Sequence, residues 1–303
     1  MNIGAAVSRS IKRTYMSAGS RFPELILSGI QPTGSPHIGN FLGVLSKWVS
    51  LQQTAHDSVT LLYPIVDLHA LTIPRDPEQL KKSKIETAIV LLACGIDPAR
   101  SLIFEQSRIP AHTELAWFFN CITPMGWLSR MTQWKSKLKL KTNSQFSEHD
   151  VLSASASAKR IMSLYDPSKK MSKSDPENTR INMSDPPEII AEKIKKSTSD
   201  SLKYITYDPE TRPAIANLVT IYAAVQGITI DQVVVEHGKS NIKTFKDAVT
   251  QVLVEKLSPI QEEIQRLRLE QGYVQQVLKN GAEKASIIAE NNLDEIRRVV
   301  GLK

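Results

Sequence analysis

Two periodicities divide the chain near its middle. In the first part, short apolar runs alternate with amphipathic stretches. Glu24-Leu25-Ile26-Leu27-Ser28-Gly29-Ile30 predicts a short strand, and Gln31-Pro32-Thr33-Gly34-Ser35-Pro36 a loop, because prolines and glycine so close together suit neither ladder nor helix. From His37 to about Gln53, Ile38, Leu42, Leu45 and Val49 recur at helical spacing, with Trp48 beside them. Val59 to Val66 is a continuous apolar run, a buried strand ending at Asp67. The next helix carries its own start and stop signals. Asp76 caps it, Pro77 takes the first position, Gln79 completes a capping box and Gly95 ends it. Its predicted inner stripe is Leu80, Ile85, Ile89 and Leu92. Leu102-Ile103-Phe104-Glu105 makes a third strand and Glu114 to Ile122 another helix. Strands and helices alternating at these lengths imply a parallel sheet with right-handed crossovers.

Residues 142–158 break the pattern, with five serines, scattered charge and no period; they read as a surface loop. From Pro186 onward the periodicity is helical: Glu188–Lys195, Ala214–Val225, Ile230–His237, a long segment from Asn241 to Gly272, then Val274–Leu278 and Glu283–Val300. Val233, Phe245, Val249, Val252, Leu253 and Leu257 form one inner face. This half reads as a helical bundle distinct from the sheet.

Charge refines the picture at one end. The formal net charge is +7, but residues 1–21 hold Arg9, Lys12, Arg13 and Arg21 with no acid, leaving 34 basic and 31 acidic residues in the remainder, only +3. A basic, acid-free, serine-containing leader reads as an organelle-targeting segment of the mitochondrial kind; the plainer reading is an unstructured tail. The body is mildly basic, which permits nucleic-acid binding without arguing for it. No run approaches the ~18 apolar residues of a membrane helix. Cys94 and Cys121 lack metal-site spacing and read as reduced, buried thiols.

Two segments carry candidate chemistry. In the first strand–loop–helix unit, Gly29, Gly34 and Gly39 allow close backbone approach, and the helix beginning near His37 offers free amides and a positive dipole end for phosphate. His37 can donate to a phosphoryl oxygen and Asn40 can contact ribose or phosphate. The bland alternative gives the glycines to tight turns and His37 to a capping bond. The second segment is Lys170-Met171-Ser172-Lys173-Ser174, between Asp166-Pro167 and Asp175-Pro176. Such a loop can fold over a triphosphate and set ammonium groups on oxygens that gain charge as pyrophosphate leaves. Its bland alternative is a solvated lysine loop.

Together these segments resemble the two signature motifs of the class I aminoacyl-tRNA synthetases. Gly29-Ile30-Gln31-Pro32-Thr33-Gly34, His37-Ile38-Gly39-Asn40, Gly43 and Trp48 are similar to the tryptophanyl branch. So are Ile65-Val66-Asp67-Leu68-His69-Ala70-Leu71-Thr72, Ala93-Cys94-Gly95-Ile96-Asp97-Pro98, Ser129-Arg130-Met131-Thr132-Gln133-Trp134-Lys135 and Lys159-Arg160-Ile161-Met162-Ser163-Leu164. With the leader, the likeness is to the mitochondrial form. It implies an α/β fold: a leader over 1–21, a Rossmann-like catalytic domain over 22–184, an all-helical anticodon-reading domain over 185–303, and a homodimer. It assigns ATP to Gln31, Pro32, Thr33, Gly39, Asn40 and the backbone of Ile161, and its phosphates to His37. Lys170, Met171, Ser172, Lys173 and Ser174 would clamp the pyrophosphate, with Mg2+ accompanying ATP and no metal held by the protein. His37, Asn40, Lys170 and Lys173 would carry the catalysis. The implied reaction is attack of the L-tryptophan carboxylate on ATP, then transfer to tRNA(Trp) in the mitochondrial matrix, without a membrane partner.

One departure bears on activity. Between the Met131-Thr132-Gln133 and Lys159-Arg160-Ile161 regions the family carries a Tyr-Pro-Val-Leu-x-Ala-Ala-Asp stretch, whose aspartate grips the indole nitrogen, and a Gly-Glu-Asp-Gln stretch that contacts ATP. Neither is in this chain, so on the order of 50 residues are absent, more than a strand–helix–strand unit. The tryptophan-binding residues are therefore not assignable, and the chain is expected to activate tryptophan poorly or not at all. The alternative, from another class, is a non-catalytic RNA-binding protein that uses Lys243, Lys246, Arg266, Arg268, Arg297 and Arg298. Those charges also fit an ordinary solvated face.

Overall fold

The computed structural model describes residues 24–132, 134–135, 161–173 and 175–303. Three parallel strands, β1 (Leu25–Leu27), β2 (Thr60–Ile65) and β3 (Ser101–Glu105), lie in the order β1-β2-β3. The register pairs Leu25 with Thr60 and Leu61 with Ser101. β1 is shorter than its apolar run suggests, but Ile30 rejoins the ladder at Ile65. At Gly29 an added Cβ would stand 2.6 Å from a Val66 methyl.

The alternation of the strands sorts their side chains onto two faces. Leu61, Tyr63, Ile65 and Ile103 enter the main apolar cluster, while Leu62 and Phe104 enter a smaller one on the other side. Helix α1 spans residues 38–54 as expected, although its stretch Phe41–Leu45 is wound as π-helix. It lies on β2 through a Trp48–Tyr63 ring stack, with centroids 4.3 Å apart and nearly parallel planes. Beyond β2 comes the short α2 (Asp67–Ala70), then α3 (Pro77–Ala93), where Asp76 accepts from the Gln79 amide at 2.7 Å. The predicted stripe on α3 needs correction: its last turns, Thr87 to Leu91, are buried all round, whereas Leu80 is only partly covered. α4 (Pro110–Ile122) and α5 (Met125–Leu128) follow β3.

The later helices are α6 (Pro187–Lys196), α7 (Pro213–Gln226), α8 (Ile230–His237), α9 (Ile242–Leu269) and α10 (Gln271–Val300). The inner face Val233, Phe245, Val249, Val252, Leu253 and Leu257 is buried as read. The two final helical segments are in fact one helix, α10. Gly281, which looks like a stop, lets α10 lie on β3: a Cβ there would be 2.0 Å from the Ile103 carbonyl oxygen. The expected set-apart helical bundle is therefore not found in the packing. α9 packs on α3, α10 packs on β3 and α4, and one apolar cluster runs from β2 to Leu278.

Candidate active site

The candidate site lies at the carboxyl end of β1, where α/β sheets place their ligands. Gln31–Ser35 leaves the strand, and Gly34 adopts φ +134°, a conformation side chains disfavour. Lys173 lies against this turn: its Cβ and carbonyl oxygen would each be 3.7 Å from a Cβ at Gly34, and its Nζ donates to the Gln31 carbonyl at 3.0 Å. The two signature segments, 142 residues apart in sequence, thus meet.

Local chemistry explains the arrangement. Residues 161–171 form a hairpin in which Met162 faces Lys170, with the Met171 amide on the Ile161 carbonyl at 3.0 Å. Asn217 of α7 holds it from behind: its Oδ1 accepts from the Met162 amide at 2.9 Å and its Nδ2 donates to the Met162 carbonyl at 3.0 Å. Downstream, residues 181–183 pair antiparallel with 36–38, the Ile38 amide reaching the Ile181 carbonyl at 2.8 Å and the Met183 amide that of Pro36 at 2.9 Å. Asp185 reinforces this strand, accepting from the Asn182 amide at 2.8 Å and from Lys193 at 2.5 Å.

His37 stands at the start of α1, 2% exposed, and its Nδ1 has no hydrogen-bond partner. Burial, with Lys173, Arg180 and Lys170 nearby, lowers its pKa to about 3, so the ring is neutral. A neutral imidazole can donate one hydrogen bond without carrying charge. Burial and Arg180 likewise lower Lys173 to about 8. Among the described residues the site therefore gathers the cations Lys170, Lys173 and Arg180, and suits a polyanion.

The other anticipated residues fall out as follows. Gly39 sits where an added Cβ would be 3.0 Å from the His37 ring and 3.6 Å from Ile161, so Ile161 is brought to the helix start. Thr33 is half-buried, Pro32 buried and Lys170 exposed. Asn40 uses its Oδ1 to accept from the His37 amide at 3.1 Å, so the capping role belongs to Asn40 and not to His37. Met171 is packed in the main core as an anchor of the loop. The Ile38 amide, expected to be free for phosphate, is taken by Ile181. Ser172 is half-buried, and Ser174 lies outside the described residues, as do residues 1–21 and 142–158.

Sequence reasoning passed over Arg180 and Asn182. The alternation of Arg180-Ile181-Asn182-Met183, apolar at every second position, was the available signal of a short strand. It also passed over the polar network at the ends of β2 and β3. There Asp67 accepts from the Ser107 amide at 2.9 Å and hydroxyl at 2.5 Å, and Lys84 bridges to Glu105 at 2.7 Å. Burial alone would raise the Glu105 carboxyl, yet hydrogen bonds from Arg108 and Lys84 hold it below its ordinary value. His69 and Gln106 meet at 3.0 Å on the exposed side of this network. Among the described residues no three His, Cys, Asp or Glu side chains are grouped to hold a metal.

The cations considered for RNA are mostly engaged within the fold. Lys246 is buried and donates to the Lys195 and Ser197 carbonyls at the end of α6, at 3.1 and 2.6 Å. Arg266 pairs with Glu263 and Glu270, Arg268 with Glu86, and Arg297 with Glu114, Glu290 and Asp294. Lys243 and Arg298 are exposed.

The family described as tRNA synthetases class I (W and Y) matches residues 23–155 and 140–263. The tryptophan–tRNA ligase of Caldanaerobacter subterraneus is 38% identical over an alignment of 326 positions, covering 91% of this chain and 98% of that protein. That of Gloeobacter violaceus is 36% identical over 338 positions, covering 95% and 99%. In structure the chain is similar to a tryptophanyl-tRNA synthetase from Mycoplasma pneumoniae, with a TM-score of 0.76, 25% identity and coverage of 93% and 99%. It shares its fold with the Campylobacter jejuni enzyme complexed with ADP and tryptophan, with a TM-score of 0.72, 20% identity and coverage of 92% and 100%.

Proposed function

The chain belongs to the class I tRNA synthetases of the W and Y type, and from that membership we propose that it is a tryptophan–tRNA ligase whose amino-acid pocket is incomplete. The reaction joins the tryptophan carboxylate to the α-phosphate of ATP with loss of pyrophosphate, then passes the aminoacyl group to tRNA(Trp). The observation that carries the reading is the Lys173–Gln31 contact, which closes the second signature loop on the first. In it, Lys170 and Lys173 neutralise charge on the departing pyrophosphate. His37, neutral, donates to a phosphoryl oxygen, and the turn at Gly34 admits the nucleotide backbone-close. The protein supplies position and positive charge, and no covalent enzyme intermediate is required. Magnesium would be held by the triphosphate oxygens, where it would share the phosphate charge with Lys170 and Lys173, since no three His, Cys, Asp or Glu side chains are grouped to hold it among the described residues.

Several observations support the missing segment. The alignment with the Caldanaerobacter ligase spans 326 positions, but 91% of this 303-residue chain is about 276 residues, so about 50 positions have no counterpart here. The family match comes in two pieces that meet within residues 140–155. β1 stands at an edge of the described sheet, where the doubly wound order has a further strand beside it. Trp117, Phe119, Ile122, Met125 and Trp127 on α4 and α5 are exposed. That apolar face also supports a homodimer. The leader composition supports a mitochondrial location.

Tryptophan-dependent exchange of labelled pyrophosphate into ATP tests the reading. Weak exchange that requires tryptophan and is not replaced by tyrosine is expected; exchange driven by tyrosine and not tryptophan would sink it.

A further inference from the structure

Among the described residues, Arg180 is a buried arginine beside the site to which the proposed reaction gives no role. It is 5% exposed, yet among the described residues no buried carboxylate pairs with it. Its acidic neighbour within ion-pair distance, among the described residues, is Glu177, at 3.9 Å, whose side chain is 81% exposed. Its hydrogen bonds go elsewhere. Nε donates to Asn182 Oδ1 at 2.9 Å, and an η nitrogen donates to the Asp175 carbonyl. The two ends of this bridge matter. Asp175 follows directly on the Lys170–Ser174 loop, and Asn182 lies opposite His37 in the antiparallel pair that fixes the start of α1. One planar guanidinium therefore ties the outgoing end of the signature loop to the strand that holds the imidazole. Burying a cation without a carboxylate is unfavourable unless something else supplies negative charge. A bound polyphosphate would.

We propose that Arg180 is a positioning residue of the ATP site: it sets the Lys170–Ser174 loop against the Gln31–His37 turn, and its buried charge is completed by the nucleotide's polyphosphate. This rests on the ATP site assigned above. The positioning part requires an arginine. A lysine keeps the charge but cannot span Asn182 and Asp175 with a rigid fork. The electrostatics agree with the geometry, since Arg180 contributes to the lowered pKa of both His37 and Lys173. The charge that bears on Lys173 is Arg180, and Lys173, Arg180 and Lys170 all bear on the neutral His37 ring, while Asp185 is held by Lys193 and Glu177 faces solvent.

Calorimetric titration of ATP and of AMP into the full chain, R180Q and R180K provides the test without requiring turnover. R180Q is expected to weaken ATP on the order of 10–100-fold, as loss of a charge-assisted contact does, with AMP changed less than about twofold. R180K should recover little of it. In R180Q the pH at which ATP affinity begins to fall should move upward from about 8, a displacement that a purely structural arginine would not cause. ATP affinity unchanged in R180Q overturns the proposal, as does equal loss of ATP and AMP, or full recovery in R180K. Should R180Q melt before the titration, N182A, which removes one end of the bridge and keeps the charge, must show the same preferential loss of ATP. A wild-type chain that binds no ATP would instead sink the underlying site assignment.

Discussion

Lys173 donates to a backbone carbonyl far away in sequence while burial and Arg180 hold its ammonium near a pKa of 8. A bound polyphosphate favours the charged form, so ATP binding takes up a proton wherever free Lys173 has lost one. ATP affinity is therefore expected to fall as pH rises above about 8, by up to about tenfold per unit. K173M should bind ATP weakly and lose that slope; a slope retained in K173M would place the titration elsewhere. Without nucleotide the sign reverses. Between 8 and 10.5 the unfolded chain holds more protons than the folded one, so this group makes folding more favourable as pH rises. His37 acts at the other end of the scale. Its pKa is about 3 when folded and 6.5 when free, so stability is full above 6.5 and is lost progressively as pH falls toward 3. H37Q should flatten the acid limb of a denaturation-midpoint profile. The residue types at these positions were legible, because a glycine-bearing turn and a paired-lysine loop have few other uses together. Arg180 was not: the alternation Arg180-Ile181-Asn182-Met183 signals a short strand, but only burial distinguishes its arginine from a solvated one. Lys246, Arg266, Arg268 and Arg297, readable as RNA-facing or as a solvated face, have their charge engaged by neighbouring carbonyls and carboxylates.

At the scale of elements, strands and helices followed their apolar periods closely, since each buries one face or both against a neighbour. The single helix over 271–300 was the exception. Gly281 marks a stop by propensity, but here it admits the Ile103 carbonyl, and tertiary packing outweighs a helix penalty of about 1 kcal/mol. G281A should accordingly lower stability by about 1–3 kcal/mol through overpacking, read as a reduced urea midpoint at unchanged slope. A gain in stability would mean that α10 does not seat on β3. Asn217 joins α7 to the Met162 backbone by two hydrogen bonds. N217A should lose about 2–3 kcal/mol and also weaken ATP binding, because the hairpin it holds carries Lys170 and Lys173. Weakened stability with wild-type ATP affinity would confine Asn217 to a structural role. Neither link could be read from sequence, since both join residues far apart in the chain.

At the scale of the whole molecule, a three-stranded parallel sheet among the described residues is joined to later helices that pack back onto it. The break in periodicity at 142–158 is the sequence signal behind the proposed incomplete pocket; the close seating of α9 and α10 on the sheet was not legible, because an amphipathic helix does not announce its partner. The exposed Trp117, Phe119, Ile122, Met125 and Trp127 should drive self-association, so sedimentation of W127E with M125E is expected to shift the chain toward monomer. The central claim is that the polyphosphate-binding site is intact while the amino-acid pocket is not. Its most direct test is tryptophan-dependent pyrophosphate–ATP exchange, run beside the Caldanaerobacter ligase with ATP affinity measured for both. The account predicts comparable ATP binding, with exchange lower by on the order of 100-fold or more, the loss that follows when a buried hydrogen-bonding partner of the substrate is removed. Exchange equal to that of the bacterial enzyme would contradict it.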